Sequence, residues 1–191
     1  MSDEVSGGDL TGLLSVYSLS KQSNLAGYRA AFAAGDPELV ATLVNTRKHA
    51  GMIVPAPVQH AMAVALADDA HVAEQKDRYR RRRDALRTAL EASGHTVDHS
   101  EAGLYLWTRR TGLDPADATA QDSWDLLGEL ADLGIIAGPG VFYGAGGEGY
   151  VRVAITATDE AVARAAARLT ARGPPASLHG GPGGRRGGGA R

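Results

Sequence analysis

Apolar residues fall along this chain in two kinds of run: short β-prone stretches bounded by glycine, and longer stripes with helical spacing. Leu13 to Leu19 (LLSVYSL) follows Gly12, and Gly27 to Ala33 (GYRAAFA) runs toward Gly35, so both read as strands. Lys21 then falls in the loop between them. Asp36-Pro37 opens a helix, with Asp36 as cap and Pro37 in the first turn, reaching about Ala50 and carrying Leu39, Leu43 and Val44. Gly51 ends it. Pro55 and Pro57 force an extended link before an alanine-rich helix, Val58 to Leu66.

From Asp69 to Ser93 the pattern is one long charged helix whose narrow apolar seam is Val72, Tyr79, Leu86 and Leu90, closed by Gly94. It reads as a connecting rod. Strands are expected at His95 to His99 and Leu104 to Thr108, then a helix over Ser123 to Leu133 and a strand at Ile135 to Ala137. A last strand, Tyr150 to Thr156, precedes a helix from Asp159 to Ala171, so the second half reads as a small α/β layer. After Arg172 the chain becomes GPPASLHGGPGGRRGGGAR, with eight glycines and three prolines in 19 residues. Such a segment buries too little apolar surface to offset its ordering entropy, and disorder is expected. Gly, Pro, Arg and Ala all have GC-rich codons, which suggests read-through from a truncated or shifted frame.

Composition narrows the function classes. Of 191 residues 43% are apolar and 22% charged, the balance of a globular protein with a real core. Twenty Lys and Arg face 22 Asp and Glu; three of those arginines, Arg185, Arg186 and Arg191, lie in the tail. The remainder is therefore acidic and offers no general footprint for nucleic acid. There is no cysteine, which excludes thiol chemistry and disulfides. No window approaches the apolar length of a membrane span, and a cytoplasmic protein is expected.

Several motifs have plain structural readings. Arg80 to Arg83 is flanked by Glu74, Asp77 and Asp84 at helical spacing and has no aromatic platform, so it reads as a solvated helix face. The six histidines show no recognised metal-ligand spacing, and no metal site is expected. GPGVFYGAGGEG, from Gly138 to Gly149, lacks the Lys-Ser/Thr of a P-loop, and Pro139 removes a backbone donor; it reads as a turn between strands. Ser18-Leu19-Ser20-Lys21 satisfies S-x-x-K, yet the serine follows a strand and no S-D-N or K-T-G element occurs.

Lys21 calls for a different account. A lysine that is partly desolvated or close to another cation favours its free amine, which condenses with aldehydes. Ser18 and Ser20 supply hydroxyls and Arg29 a planar fork, a set suited to phosphate oxygens. A phosphate-bearing aldehyde is pyridoxal phosphate.

SLSKQSNLAGYR resembles the S-x-S-K…G-x-R signature of class I/II aminotransferases of pyridoxal-phosphate fold type I. The similarity continues through RKHAGMIVPAPVQHAM, HSEAGLYLW, GPGVFYG and YVRVAIT, covering Val5 to Leu169, and is greatest toward succinyldiaminopimelate transaminases of lysine biosynthesis. The resemblance implies an α/β fold: residues 1–68 as the end of a large cofactor domain, 69–93 as the connecting helix and 94–172 as the small domain, with 173–191 as tail. It also implies pyridoxal 5'-phosphate as cofactor, an amino acid (glutamate as donor) and a keto acid as substrates, and the family's homodimer. Residue by residue, Lys21 would hold the cofactor as an imine and carry the proton at the substrate α-carbon. Ser18 and Arg29 would hold the phosphate with Ser20 assisting, and Arg152 would grip the α-carboxylate. On YVRVAIT, Val151, Val153 and Ile155 share one face and Arg152 takes the other; a structural salt bridge on an edge strand is the competing account.

The chain also departs from the family pattern. Family members carry, ahead of the lysine, an aromatic ring stacker, an asparagine and an aspartate that pairs with the pyridine nitrogen, whereas 20 residues precede Lys21 and Asp3 stands too near it for that role. The expectation is the C-terminal portion of an aminotransferase, inactive alone; an aminotransferase for another amino acid, or a non-catalytic remnant keeping only the fold, is the alternative.

Overall fold

The computed structural model describes residues 6–174 and divides into two compact units, the first ending at Arg78 and the second starting at Tyr79. The expected disorder of the tail concerns residues that, apart from Gly173 and Pro174, lie outside this range.

In the first unit β1 (Leu14–Ser18) pairs antiparallel with β2 (Ala31–Gly35), in a register that sets Ser18 opposite Ala31 and Leu14 opposite Gly35. Between them lie a one-turn helix, α1 (Leu19–Gln22), and a 3-10 turn at Ala26–Tyr28. Lys21 thus sits in a helical turn, not in a loop. The cause is local: Ser18 leaves the strand with extended backbone and its Oγ accepts the Ser20 N–H at 3.2 Å, capping α1. The serine of S-x-x-K therefore does open a helix, although the other elements of that motif are missing from the sequence. The second strand begins later than the GYRAAFA run suggests, because Gly27 and Tyr28 belong to the 3-10 turn and Arg29 takes left-handed backbone at φ 51°.

Asp36 caps α2 (Pro37–His49) through Glu38 N at 2.8 Å and Leu39 N at 3.3 Å, and its second oxygen receives Gly12 N at 2.7 Å. α3 (Ala56–Leu66) follows the proline link. A small core forms from Leu19, Ala30 and Met62, with Leu25, Val54, Val58 and Ala65 against it. Much apolar surface remains uncovered: Val16 is 70% exposed and Ile53 64%. An open cavity of about 540 Å³ lies between β2, α2 and α3, walled by Phe32, Val44, Met52, Ile53, Met62 and Leu66 among others.

α4 (Asp69–Ala92) runs through the boundary between the units. In the second unit β3 (His95–Asp98), β4 (Tyr105–Arg110), β5 (Gly138–Pro139) and β6 (Tyr150–Ala154) form an antiparallel sheet of order β3-β4-β6-β5. α5 (Ala120–Asp132) and α6 (Asp159–Arg172) complete it. One sheet face supplies Val97, Leu106, Val151 and Val153 to a core shared with Leu86 and Leu90 of α4, Leu126 and Leu130 of α5, and Val162 and Leu169 of α6.

Some boundaries moved. The strand read at Ile135 to Ala137 forms instead at Gly138–Pro139, since Ile135 is buried behind α5 by its N–H bond to Leu130 O while Ile136 is 95% exposed. β3 stops at Asp98 because His99 turns to φ 50°. α5 starts three residues before Ser123, where Asp122 reaches back to Thr119 N at 2.9 Å. The arginine run is only partly a solvated face: Arg82 ion-pairs with Asp159, leaving its side chain 12% exposed, and Arg83 donates to Gly103 O. The glycine-rich stretch is indeed a connection between strands, built from 3-10 turns at Gly140–Tyr143 and Ala145–Gly147.

Candidate functional site

The sequence-predicted site residues fall into two groups, four in the first unit and one in the second. The first group is assembled by the β1/β2 hairpin. Its register returns the chain to Ser18 just after Arg29, and Ser18 Oγ lies 3.5 Å from Ala30 O and 2.9 Å from Ser20 Oγ. Two hydroxyls, Lys21 and the backbone of Arg29 are thereby held on one short hairpin end. Leu19, fully buried, anchors the turn from below, and Ser23 N closes it onto Leu19 O at 3.0 Å.

Lys21 and Arg29 are exposed, and among the described residues neither makes an ion pair or side-chain hydrogen bond. Left-handed backbone at Arg29 is uncommon for a residue with a Cβ, and such outliers concentrate where geometry serves a ligand. Two cations with free donors beside two hydroxyls make a donor set suited to a phosphate. Three carboxylates of this unit serve the local backbone. Asp9 is held low by its hydrogen bonds from Thr11, Asp36 by those of Gly12, Glu38 and Leu39, and Asp68 by those of Ala70 and His71, so each is engaged in a local turn or cap.

One contact was not legible in the sequence. His71, in the first turn of α4, places Nε2 2.9 Å from Ser23 Oγ and Nδ1 3.1 Å from Asp68 Oδ2. Ser23 lies 48 positions away in sequence, too far for any local pattern to reveal.

In the second unit Arg152 lies on β6, opposite Trp107 of β4 and Gly138 of β5. The strand is internal to the sheet, so the edge-strand salt bridge loses its setting. Arg152 is half-buried, and among the described residues no carboxylate stands within ion-pair distance of it. Its neighbours are aromatic: the guanidinium carbon lies 4.1 Å from the ring centre of Tyr105 and 5.0 Å from that of Tyr143. The alternation in YLWTRR, aromatic residues every second position on a strand, is the signal that would have pointed to this patch.

The family model for aminotransferase class I and II matches residues 2–169. The chain belongs to that family. Its aminotransferase relatives include the 4-dedimethylamino-4-oxo-anhydrotetracycline transaminase OxyQ of Streptomyces rimosus, 58% identical over 87% of this chain and 44% of the relative. An LL-diaminopimelate aminotransferase of Oleidesulfovibrio alaskensis is 39% identical over 80% of this chain and 38% of its own length. Among solved structures, a probable N-succinyldiaminopimelate aminotransferase of Thermus thermophilus superposes with a TM-score of 0.70 at 29% identity, covering 86% of this chain and 43% of that one. The chain thus spans about two fifths of the length of the aminotransferases it matches. The α/β fold is that of fold type I aminotransferases over this region, and the family depends on pyridoxal phosphate.

Proposed function

We propose that the full-length protein transfers an amino group between an amino acid, with glutamate as donor, and a keto acid, and that residues 6–174 form its C-terminal part. On this reading residues 1–68 end the cofactor domain, 69–93 connect, and 94–172 form the small domain of a cytoplasmic homodimer. The observation that carries the proposal is the hairpin end that gathers Ser18, Ser20, Lys21 and Arg29, with both cations free of anionic partners among the described residues.

Ser18 and Arg29 would hold the phosphate of pyridoxal phosphate, with Ser20 assisting, and Lys21 Nζ would hold its aldehyde end. When bound, the cofactor supplies the electron-withdrawing ring that makes the substrate α-proton acidic. Lys21 Nζ would carry the proton at the substrate α-carbon. Arg152 would hold the substrate carboxylate through paired N–H donors.

For the amino acceptor we favour the keto form of N-succinyldiaminopimelate, on the sequence resemblance and the likeness to the Thermus structure. The 58% identity to OxyQ, named for an oxo-tetracycline, favours a second reading with a ring ketone as acceptor. Assaying the full-length enzyme with both acceptors separates them. Borohydride reduction of that enzyme with pyridoxal phosphate, followed by peptide mapping, should place the label on Lys21; a label on Lys48 or Lys76 overturns the site.

A further inference from the structure

Arg152 and its neighbours share the face of the small sheet that looks away from the core. Tyr105, Trp107 and Arg109 alternate along β4 and meet Arg152 and Tyr150 of β6, with Trp107 directly opposite Arg152. The core-facing positions between them, Leu106, Thr108, Val151 and Val153, are buried. The outward set is a connected aromatic cluster. Tyr143 meets Trp107 edge-on at 5.7 Å, and Trp107 stacks on Tyr150 at 5.0 Å. Tyr150 Oη donates to Asp98 Oδ2 at 2.9 Å, and the same oxygen receives Arg109 Nε at 2.8 Å. Gly138 lies against the cluster: a Cβ there would make ordinary contacts, 3.5 Å from Tyr143 Oη and 3.8 Å from Arg152 Nε.

We propose that Tyr105 and Tyr143 are positioning residues that hold the Arg152 guanidinium against their rings and keep its N–H donors free for a substrate carboxylate. This rests on the reading of Arg152 as the carboxylate-binding residue. Ring faces attract a planar cation but contain no lone pair that would occupy its in-plane donors. A carboxylate neighbour would fix the arginine equally well, yet it would consume the paired N–H groups that the substrate needs. The cluster therefore restricts a rotamer-rich side chain before the substrate arrives, which lowers the ordering cost of binding. Trp107, Tyr150 and the Asp98–Arg109 pair brace the Tyr143 ring in turn. The ligand class is a carboxylate of an amino or keto acid.

The test uses the 191-residue chain with ¹⁵N-labelled arginine and glutarate as the probe. The Arg152 Nε–Hε signal, assigned by its loss in Arg152→Lys, should be displaced upfield by ring current and should shift as glutarate is added. Tyr105→Leu should abolish the displacement and weaken glutarate about three- to tenfold; Tyr105→Phe, which restores the ring, should retain both. Tyr143→Leu should produce a smaller change of the same kind and guards against a Tyr105 variant that fails to fold. An Arg152 signal and a glutarate affinity that ignore both leucine variants overturn the clamp. A signal that depends on Tyr105 but never responds to glutarate instead overturns the carboxylate-binding reading, and the clamp's part in substrate binding falls with it.

Discussion

His71 Nε2 and Ser23 Oγ stand 2.9 Å apart, tying the first turn of α4 to the residue that caps the Lys21 turn. The imidazole is oriented by Asp68 on its other nitrogen, so the tether consists of two hydrogen bonds in series. His71→Ala leaves the Ser23 hydroxyl without this partner and should cost the first unit about 1 kcal/mol. Amide exchange at Gln22 to Leu25 should quicken, while the second unit keeps its protection. Unchanged exchange in that turn would show that the contact does not hold it.

Arg152→Lys in the full-length enzyme should weaken amino-acid and keto-acid binding while leaving the cofactor spectrum nearly intact. Lysine retains the charge but neither the paired donors nor the planar group that stacks on Tyr105. The expected loss is about tenfold or more in substrate affinity, that is, ~1.4 kcal/mol or more. Equal affinity for variant and parent would remove Arg152 from the binding site.

Gly140 and Gly147 meet backbone to backbone in the β5–β6 connection. A Cβ on Gly140 would lie 2.1 Å from Gly147 O, and one on Gly147 would lie 2.0 Å from Gly140 O. Neither clash can be relieved by a side-chain rotation, and Gly147 O also accepts the buried Ser123 hydroxyl. Gly140→Ala should destabilise the second unit by about 1–3 kcal/mol, read as a lower denaturant midpoint. Gly146→Ala, where a Cβ meets nothing within 4 Å, is the control expected to change little.

Acid should loosen the second unit in two stages. His95 is 3% exposed, and burial pushes its imidazole below the ordinary 6.5, against the opposing hydrogen bond to Leu90 O. Its folded form stays neutral while the unfolded chain takes a proton, so stability falls as pH drops through and below 6.5. Asp98, despite partial desolvation, is held below 3.8 by hydrogen bonds from Arg109 and Tyr150. Its contribution is complete above 3.8 and disappears as pH falls through its lowered value. Urea midpoints of His95→Gln against pH should lack the first stage; a slope identical to the parent's between about pH 7 and 5 would assign that loss elsewhere.

The 191-residue chain should show no transamination above free pyridoxal phosphate. On the proposed reading Lys21, Ser18 and Arg29 supply the lysine and phosphate donors, but the chain spans about two fifths of the length of the aminotransferases it matches, and the cofactor ring acts as an electron sink only beside a carboxylate placed at its nitrogen. Turnover with glutamate and a keto acid that Lys21→Ala specifically abolishes would prove this expectation wrong.

Elements whose signals are local could be read from the order of residues alone. Asp36 before Pro37 starts α2, the Leu86 and Leu90 seam runs along α4, and the alternation of Val151, Arg152 and Val153 places arginine opposite the core face, because caps and periodicities act within a few residues. The serine, lysine and arginine spacing around Lys21 was legible for the same reason. Whatever depends on distant partners emerged only with the folded chain. The hairpin register sets Ala30 beside Ser18, His71 reaches Ser23, and two strands and a turn bring Tyr105, Tyr143 and Trp107 around Arg152. These contacts lie beyond the reach of a cap or a helical repeat, and one-dimensional spacing carries no record of which distant pairs the packing of a core will bring together.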